Sequence, residues 1–93
     1  MPHFAIHCID KPHALELRLA NRPAHLAHLA TVADQLLLAG PLLDDAGQPI
    51  GSLVIIDFPD RTAATAFAAE DPYAKAGLFA SVAVTPWRKV LPA

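Results

Sequence analysis

The chain has 93 residues, of which 54% are hydrophobic and 17% charged, and its net charge is −2. The length accommodates one domain, and the hydrophobic content excludes an intrinsically disordered chain. The seven lysines and arginines are too few and too scattered for a nucleic-acid surface, and no apolar run approaches the ~20 residues of a membrane span.

The N-terminal residues predict a strand and not a targeting signal. Side chains alternate over residues 3–9, with Phe4, Ile6 and Cys8 on one face. The uninterrupted apolar stretch of a signal peptide is missing. Cys8 is the only cysteine, so an intrachain disulfide is excluded and a buried thiol is expected. We therefore expect a soluble cytoplasmic protein without a nucleic-acid or membrane partner.

The next segment predicts a helix in two parts. Asp10 is expected to cap the first part, and Asn21 interrupts its apolar stripe. Pro23 restarts the helix at a first-turn position, where its missing amide hydrogen costs nothing. Leucines then recur at steps of three and four as far as residues 36–37, as an amphipathic helix requires.

Three more strands and a second helix complete the predicted fold. The strands cover residues 36–43, 50–58 and 79–85. Asp60 is expected to cap the second helix, which must end near Asp71 because residues before a proline avoid helical geometry. One short turn follows from Pro72 to Ala76, and Gly77 stops it. This β-α-β-β-α-β order fits an α+β fold whose antiparallel sheet carries its helices on one face.

Both faces of the third predicted strand are largely apolar. One alternating set contains Val54 and Ile56, and the other contains Leu53 and Ile55. Helices from the same chain can cover only one side of the sheet, so the other side requires a partner. We therefore expect a homodimer, with Trp87 as a candidate anchor of the subunit contact.

Five short motifs occur in a specific order along the chain. They are Arg22-Pro23-Ala24-His25-Leu26, Ala39-Gly40-Pro41, Gly51-Ser52, Asp71-Pro72-Tyr73 and Ala76-Gly77-Leu78-Phe79. This ordered set resembles the YCII-related (YciI-like) proteins from Phe4 to about Val90. The resemblance implies one YCII-related domain over residues 1–93, with a ferredoxin-like βαββαβ fold that pairs as a dimeric α+β barrel.

His25 and Asp71 are the candidate catalytic residues. In the predicted helix that starts at Pro23, His25 lies in the first turn, where the partial positive charge favours the neutral imidazole of a general base. A nearby carboxylate acts in the opposite direction and favours the imidazolium, so the sequence leaves both forms open. Asp71 follows a helix C-terminus beside Glu70, and both would favour its protonated form. Two structural alternatives stay open: Asp71 is an N-cap for the next turn, and His25 is an ordinary interior histidine with a hydrogen-bond partner.

The resemblance implies roles for these residues. His25 and Asp71 match the pair proposed as catalytic in the family, and four further residues match substrate-binding positions. These are Arg22, Gly40, Ser52 and Tyr73. Each has a structural alternative: a surface arginine, a strand-end glycine, a strand hydroxyl and a packing aromatic.

Two functions are compatible with the sequence. The first is a small enzyme that transfers protons on a cyclic or phenolic substrate, as a lyase, dehydrohalogenase or isomerase does, with no metal or organic cofactor. It predicts a polar cleft where His25 and Asp71 converge. The second is a non-catalytic dimeric module that binds a small molecule or a protein, and it predicts an apolar cleft. The five histidines lack a zinc-ligand pattern, and His13 and His28 are expected to face solvent.

Overall fold

The computed structural model describes residues 2–93, which form four strands and three helices. They are β1 (His3–Asp10), α1 (Leu15–Ala30), β2 (Leu36–Leu43), β3 (Pro49–Asp57), α2 (Arg61–Ala69), α3 (Pro72–Lys75) and β4 (Phe79–Trp87). Within the described range, no helix is long and apolar enough to cross a membrane.

The strands form one antiparallel sheet in the order β2-β3-β1-β4. The register places alternate residues of each strand on one face, against the helices. The core lies in that layer and contains Phe4, Ile6, Cys8, Leu29, Val54, Ile56, Phe58, Ala64 and Ala68. This arrangement confirms the predicted ferredoxin-like α+β fold with its helices on one face of the sheet.

Helix α1 is continuous, so the predicted break near Asn21 is wrong. Pro23 lies inside the helix, and the Asn21 side chain donates a hydrogen bond to the Leu17 carbonyl. A proline inside a helix removes one backbone hydrogen bond and lowers the stability of the helix by about 3 kcal/mol. The helix nevertheless continues because it buries Arg18 on one side of the proline and His25 on the other.

Both predicted ends of α1 also differ from the structure. Asp10 belongs to β1 and does not cap the helix; the N-cap position is Ala14, which makes no side-chain cap hydrogen bond. The helix ends at Ala30, well before residues 36–37, because Leu36 pairs with Ile56 in the sheet. Consequently, His25 lies ten residues into α1 and not in a first turn, so the helix N-terminus does not influence it.

The second half of the chain follows the prediction closely. Asp60 caps α2 by accepting a hydrogen bond from the Ala63 amide at 2.8 Å. Helix α2 ends at Ala69, α3 starts at Pro72, and Gly77 stops it with a φ of +77°. Strand β4 extends two residues beyond the predicted end, to Trp87.

The opposite face of the sheet has no helix against it within residues 2–93. We call it the open face; its apolar members, by strand alternation, are Ala5, Ile9, Leu38, Leu42, Leu53, Ile55, Ala83 and Trp87. Leu38 is 52% exposed, whereas Ile55 at the centre of this face is buried by its neighbours alone.

Candidate functional site

His25 and Asp71 meet between α1 and the start of α3, and both are buried. His25 Nδ1 lies 3.0 Å from one carboxylate oxygen of Asp71 and 2.8 Å from the other. Because an ionised carboxylate only accepts hydrogen bonds, the proton between them belongs to Nδ1. In a neutral imidazole, Nε2 then keeps its lone pair, and within residues 2–93 this nitrogen has no hydrogen-bond partner.

Asp71 also caps α3. Its Oδ1 accepts the Tyr73 backbone amide at 2.9 Å, in addition to the hydrogen bond with His25. One carboxylate therefore caps α3 and holds the His25 ring, so the cap does not exclude the catalytic role of Asp71, which stays a prediction. Glu70, expected to affect Asp71, is exposed and pairs with Lys75 at 2.8 Å, whose hydrogen bond and charge lower the pKa of Glu70.

Tyr73 fixes the orientation of the histidine ring. The rings of His25 and Tyr73 stack with their centroids 4.1 Å apart and 17° between their planes. The guanidinium carbon of Arg18 lies 4.5 Å from the centroid of the same tyrosine. Residues seven apart rise about 10.5 Å along a helix, so the Tyr73 ring fits between Arg18 and His25. The tyrosine, only 1% exposed, thereby connects α3 to two residues of α1 that lie about two turns apart.

Arg18 is the functional candidate that the sequence analysis missed. Its Nε and Nη2 donate to the Asp10 carboxylate at 2.7 and 3.0 Å, and Nη2 also donates to Ser52 Oγ at 2.8 Å. Burial alone would lower the pKa of the Arg18 guanidinium, but the hydrogen bonds and charge of Asp10 outweigh it and raise that pKa. The available signal was the seven-residue spacing from Arg18 to His25, which places both on one face of an unbroken helix.

A cavity of about 220 Å³ lies over this cluster, between α1 and the edge strand β2. Its buried lining residues, which we call the floor, are Arg18, His25, Leu29, Ser52 and Tyr73. Its exposed lining residues, which we call the mouth, are Leu19, Arg22, Leu26, Ala39, Gly40 and Pro41. All the predicted site residues except Asp71 line this cavity, and Asp71 stands behind His25.

Two predicted substrate-binding residues are at the mouth. Arg22 is exposed and forms no ion pair within residues 2–93, so its charge is available to a ligand. Gly40 lines the cavity with its backbone, but a Cβ there would meet no atom within 4 Å. The structure therefore gives no packing reason for glycine at position 40, and its predicted role in ligand approach stays a prediction.

The floor keeps its donors protonated. Burial raises the pKa of the Tyr73 phenol, although the positive charges of Arg18 and Arg22 partly oppose this. Ser52 Oγ already accepts a hydrogen bond from Arg18, so its own hydroxyl hydrogen can be donated elsewhere. The floor thus offers hydrogen-bond donors beside one acceptor, the Nε2 of His25.

Cys8 lies in the core, close to the His25–Asp71 pair. Burial, together with the negative charge of Asp71, raises the pKa of its thiol to about 12. The thiolate is the reactive form of cysteine, so Cys8 is not a nucleophile at neutral pH. It is the buried thiol that the sequence predicted.

The other histidines lie outside this cluster. His13 is exposed, as predicted. The prediction for His28 is wrong: it is half-buried, stacks on Phe67 at 4.1 Å and donates from Nε2 to the Phe67 carbonyl at 3.0 Å. In the described part of the chain, no three His, Cys, Asp or Glu side chains are grouped as metal ligands would be.

Comparisons with known proteins agree with the motifs and the fold. A family model described as the YCII-related domain matches residues 2–88. Protein YciI of Escherichia coli O6:H1 is 43% identical over 95 residues, which cover 94% of this chain and 97% of that protein.

Solved structures with the same fold were also found. One is 5-chloro-2-hydroxyhydroquinone dehydrochlorinase (TftG) from Burkholderia phenoliruptrix AC1100, in complex with 2,5-dihydroxybenzoquinone. It matches with a TM-score of 0.86 and 33% identity, over 92% of this chain and 93% of that chain. An antibiotic biosynthesis monooxygenase, at a TM-score of 0.56 and 18% identity over 97% and 99% of the two chains, shares the fold alone. With the family model matching residues 2–88 and YciI 43% identical, the chain belongs to the YCII-related family.

Proposed function

We propose that this protein is an enzyme that removes a proton from a small hydroxylated ring and eliminates a substituent, without a cofactor. The observation that carries the proposal is the hydrogen bond between His25 Nδ1 and Asp71, at 2.8 Å, beneath a cavity. A base oriented by a buried carboxylate is the arrangement that general-base catalysis requires.

His25 Nε2 is the proton acceptor in this proposal. It takes the proton of a ring hydroxyl; the oxygen pair forms a carbonyl, and the ring π pair that this displaces takes up a proton at the carbon that bears the leaving group. A second ring hydroxyl then loses its proton, its oxygen pair forms a second carbonyl, and the displaced π pair forms a ring double bond as the leaving group departs with its bonding pair, so the net change is loss of one proton and one anion. Asp71 stabilises the imidazolium that forms, while Arg22 and the hydroxyl of Ser52 stabilise the developing oxyanion.

The size of the cavity and one structural neighbour support a ring substrate. Pockets for drug-sized ligands measure about 300–1,000 Å³. The cavity here has about 220 Å³, which suits a single ring. A neighbour that is 33% identical is named a dehydrochlorinase and was solved with a dihydroxybenzoquinone.

The alternative, a non-catalytic binding module, predicts an apolar cleft without a coupled pair. The floor instead contains His25, Ser52, Tyr73 and Arg18, and the histidine is hydrogen-bonded to a carboxylate behind it. This polarity favours the enzyme.

The test is chloride release from 5-chloro-2-hydroxyhydroquinone by the wild type and by His25→Gln and Asp71→Asn. We expect kcat to fall by about 10²–10⁴-fold in His25→Gln, the usual contribution of a general base. Asp71→Asn should lower kcat too, because an amide can donate to Nδ1 and place the proton on Nε2. His28→Gln is the matched control: it changes a histidine one turn later, outside the cavity, and should keep wild-type turnover.

Two results would contradict the proposal. If His25→Gln turns over as fast as His28→Gln, His25 is not the base. If the wild type neither releases chloride nor binds 2,5-dihydroxybenzoquinone, the ring class is wrong.

We also infer that the protein is a homodimer paired through the open face. Leu38, Leu42 and Leu53 there form an apolar surface that no helix covers within residues 2–93. A second copy of the same face would bury these side chains, at about 25 cal/mol per Å² of apolar surface removed from water. Sedimentation equilibrium should give twice the chain mass of 9.9 kDa, and a monomer at micromolar concentration would contradict this.

A further inference from the structure

The floor and the mouth of the cavity differ in chemistry as well as in depth. Polar side chains dominate the floor, where only Leu29 is apolar. At the mouth, by contrast, Leu19 is 54% exposed and Leu26 is 45% exposed. A ligand that contacts both ends therefore meets hydrogen-bonding groups first and an apolar surface farther out.

The mouth is a slot between two walls, one uncharged and one that carries the cation of Arg22 between two leucines. Leu19, Arg22 and Leu26 are spaced by three and four residues, so they form one stripe along α1. The facing wall is the segment of β2 from Ala39 to Pro41, which carries no charge. Single exposed leucines are ordinary on protein surfaces. Here, however, the two lie on either side of the free Arg22 at the opening of a cavity, and apolar surface in such a position marks a ligand groove.

From this gradient of polarity we propose that the natural substrate is amphipathic: a hydroxylated ring with an apolar substituent of a few carbon atoms. The ring lies on the floor with a hydroxyl at His25, and the substituent lies in the slot against Leu19, Leu26 and Pro41. Arg22 is then adjacent to the ring oxygen nearest the mouth. This inference rests on the proposed function and adds the substrate class, because a bare dihydroxybenzoquinone has no apolar group to place against the two leucines.

The expected gain follows from apolar burial. One fully buried methylene contributes about 0.8 kcal/mol, which corresponds to about fourfold in affinity. A slot that is open on one side covers about half of each group, so three carbons should tighten binding about tenfold.

The test compares 2,5-dihydroxybenzoquinone with its 3-propyl derivative by isothermal titration calorimetry. In the wild type, we expect the propyl compound to bind about tenfold more tightly. Leu19→Gln should remove most of that difference, so that the ratio of the two affinities falls toward one. Glutamine keeps the side-chain length and favours helix, so folding is preserved. The matched control is Leu17→Gln, a half-exposed leucine of the same helix that does not line the cavity, and it should retain the full gain.

Each other outcome overturns the inference. The substituent does not lie in the slot if the propyl compound binds no more tightly, or if Leu19→Gln retains the gain. If Leu19→Gln lowers the oligomeric state and the propyl compound still binds more tightly than the bare ring, a second copy of the chain covers the leucines instead of the substituent. If neither compound binds the wild type, the proposed function fails together with the inference, whereas binding of the bare ring alone overturns only the inference.

Discussion

Replacing Arg18 by methionine should destabilise the protein strongly, because it leaves a buried carboxylate without its partner. The side chains of Arg18 and Asp10 are 4% and 5% exposed, and the two hydrogen bonds between them are 2.7 and 3.0 Å long. Breaking a buried ion pair by removing one partner costs about 3–5 kcal/mol. Small domains have about 5–15 kcal/mol of total stability, so the variant should remain folded but lose a large share of it.

Urea denaturation measures the effect. With a slope of about 1.5 kcal/mol per M, the midpoint should fall by about 2–3 M in Arg18→Met. The double variant Asp10→Asn/Arg18→Met should recover most of the loss, because it removes the unpaired charge itself. Lys75→Met provides the matched control: it breaks an ion pair of 2.8 Å whose side chains are 61% and 64% exposed, and the midpoint should hardly move.

The reasoning about the buried pair would be refuted by either of two results. Arg18→Met could lower the midpoint no further than Lys75→Met does, which would mean that Asp10 finds other partners or water. The double variant could instead be no more stable than Arg18→Met, in which case the loss comes from the contacts of Arg18 with Tyr73 and Ser52 and not from the stranded charge.

Two further predictions concern the sheet. Gly51→Ala should destabilise the protein by about 1–3 kcal/mol in the same urea assay, because a Cβ at this position collides with the Cys8 carbonyl oxygen. Gly40→Ala is its matched control: a Cβ there meets no atom within 4 Å, so stability should stay the same or rise by about 0.5–1 kcal/mol. If Gly51→Ala lowers the stability no more than Gly40→Ala does, the backbone of β1 shifts at Cys8 and relieves the collision. On the open face, Leu38→Lys should convert the proposed dimer to monomer in sedimentation equilibrium, and a variant that still dimerises would place the interface elsewhere.

The sequence predicts the strands and the second helix well because local signals determine them. Alternation defines β1, and the Asp60 cap defines the start of α2 within one residue. Asp71-Pro72 similarly marks the start of α3, where the structure has Asp71 as the N-cap. In each case the decisive interaction joins residues that are close together in the chain.

The errors occur where tertiary contacts decide. Pro23 looked like a helix start, yet burial of side chains on both sides of it keeps α1 continuous. His28 looked like a solvent-facing residue because its partner, Phe67, lies 39 positions later. Arg18 was overlooked for the same reason: its contacts with Asp10 and Ser52 depend on the sheet, and the predicted break hid its alignment with His25.

One oxygen of Asp71 bonds both His25 and the backbone of Tyr73, so a backbone amide can be used to follow the His25–Asp71 pair. The same Oδ1 holds the Tyr73 backbone amide at 2.9 Å and the His25 ring at 3.0 Å. The turn that starts α3 therefore becomes ordered together with the proposed base, and neither can detach without affecting the other. Hydrogen exchange at the Tyr73 amide consequently records how often the His25–Asp71 pair opens, even before any substrate is known. A ligand that tightens the pair will slow this exchange through the Asp71 carboxylate, which lies behind His25.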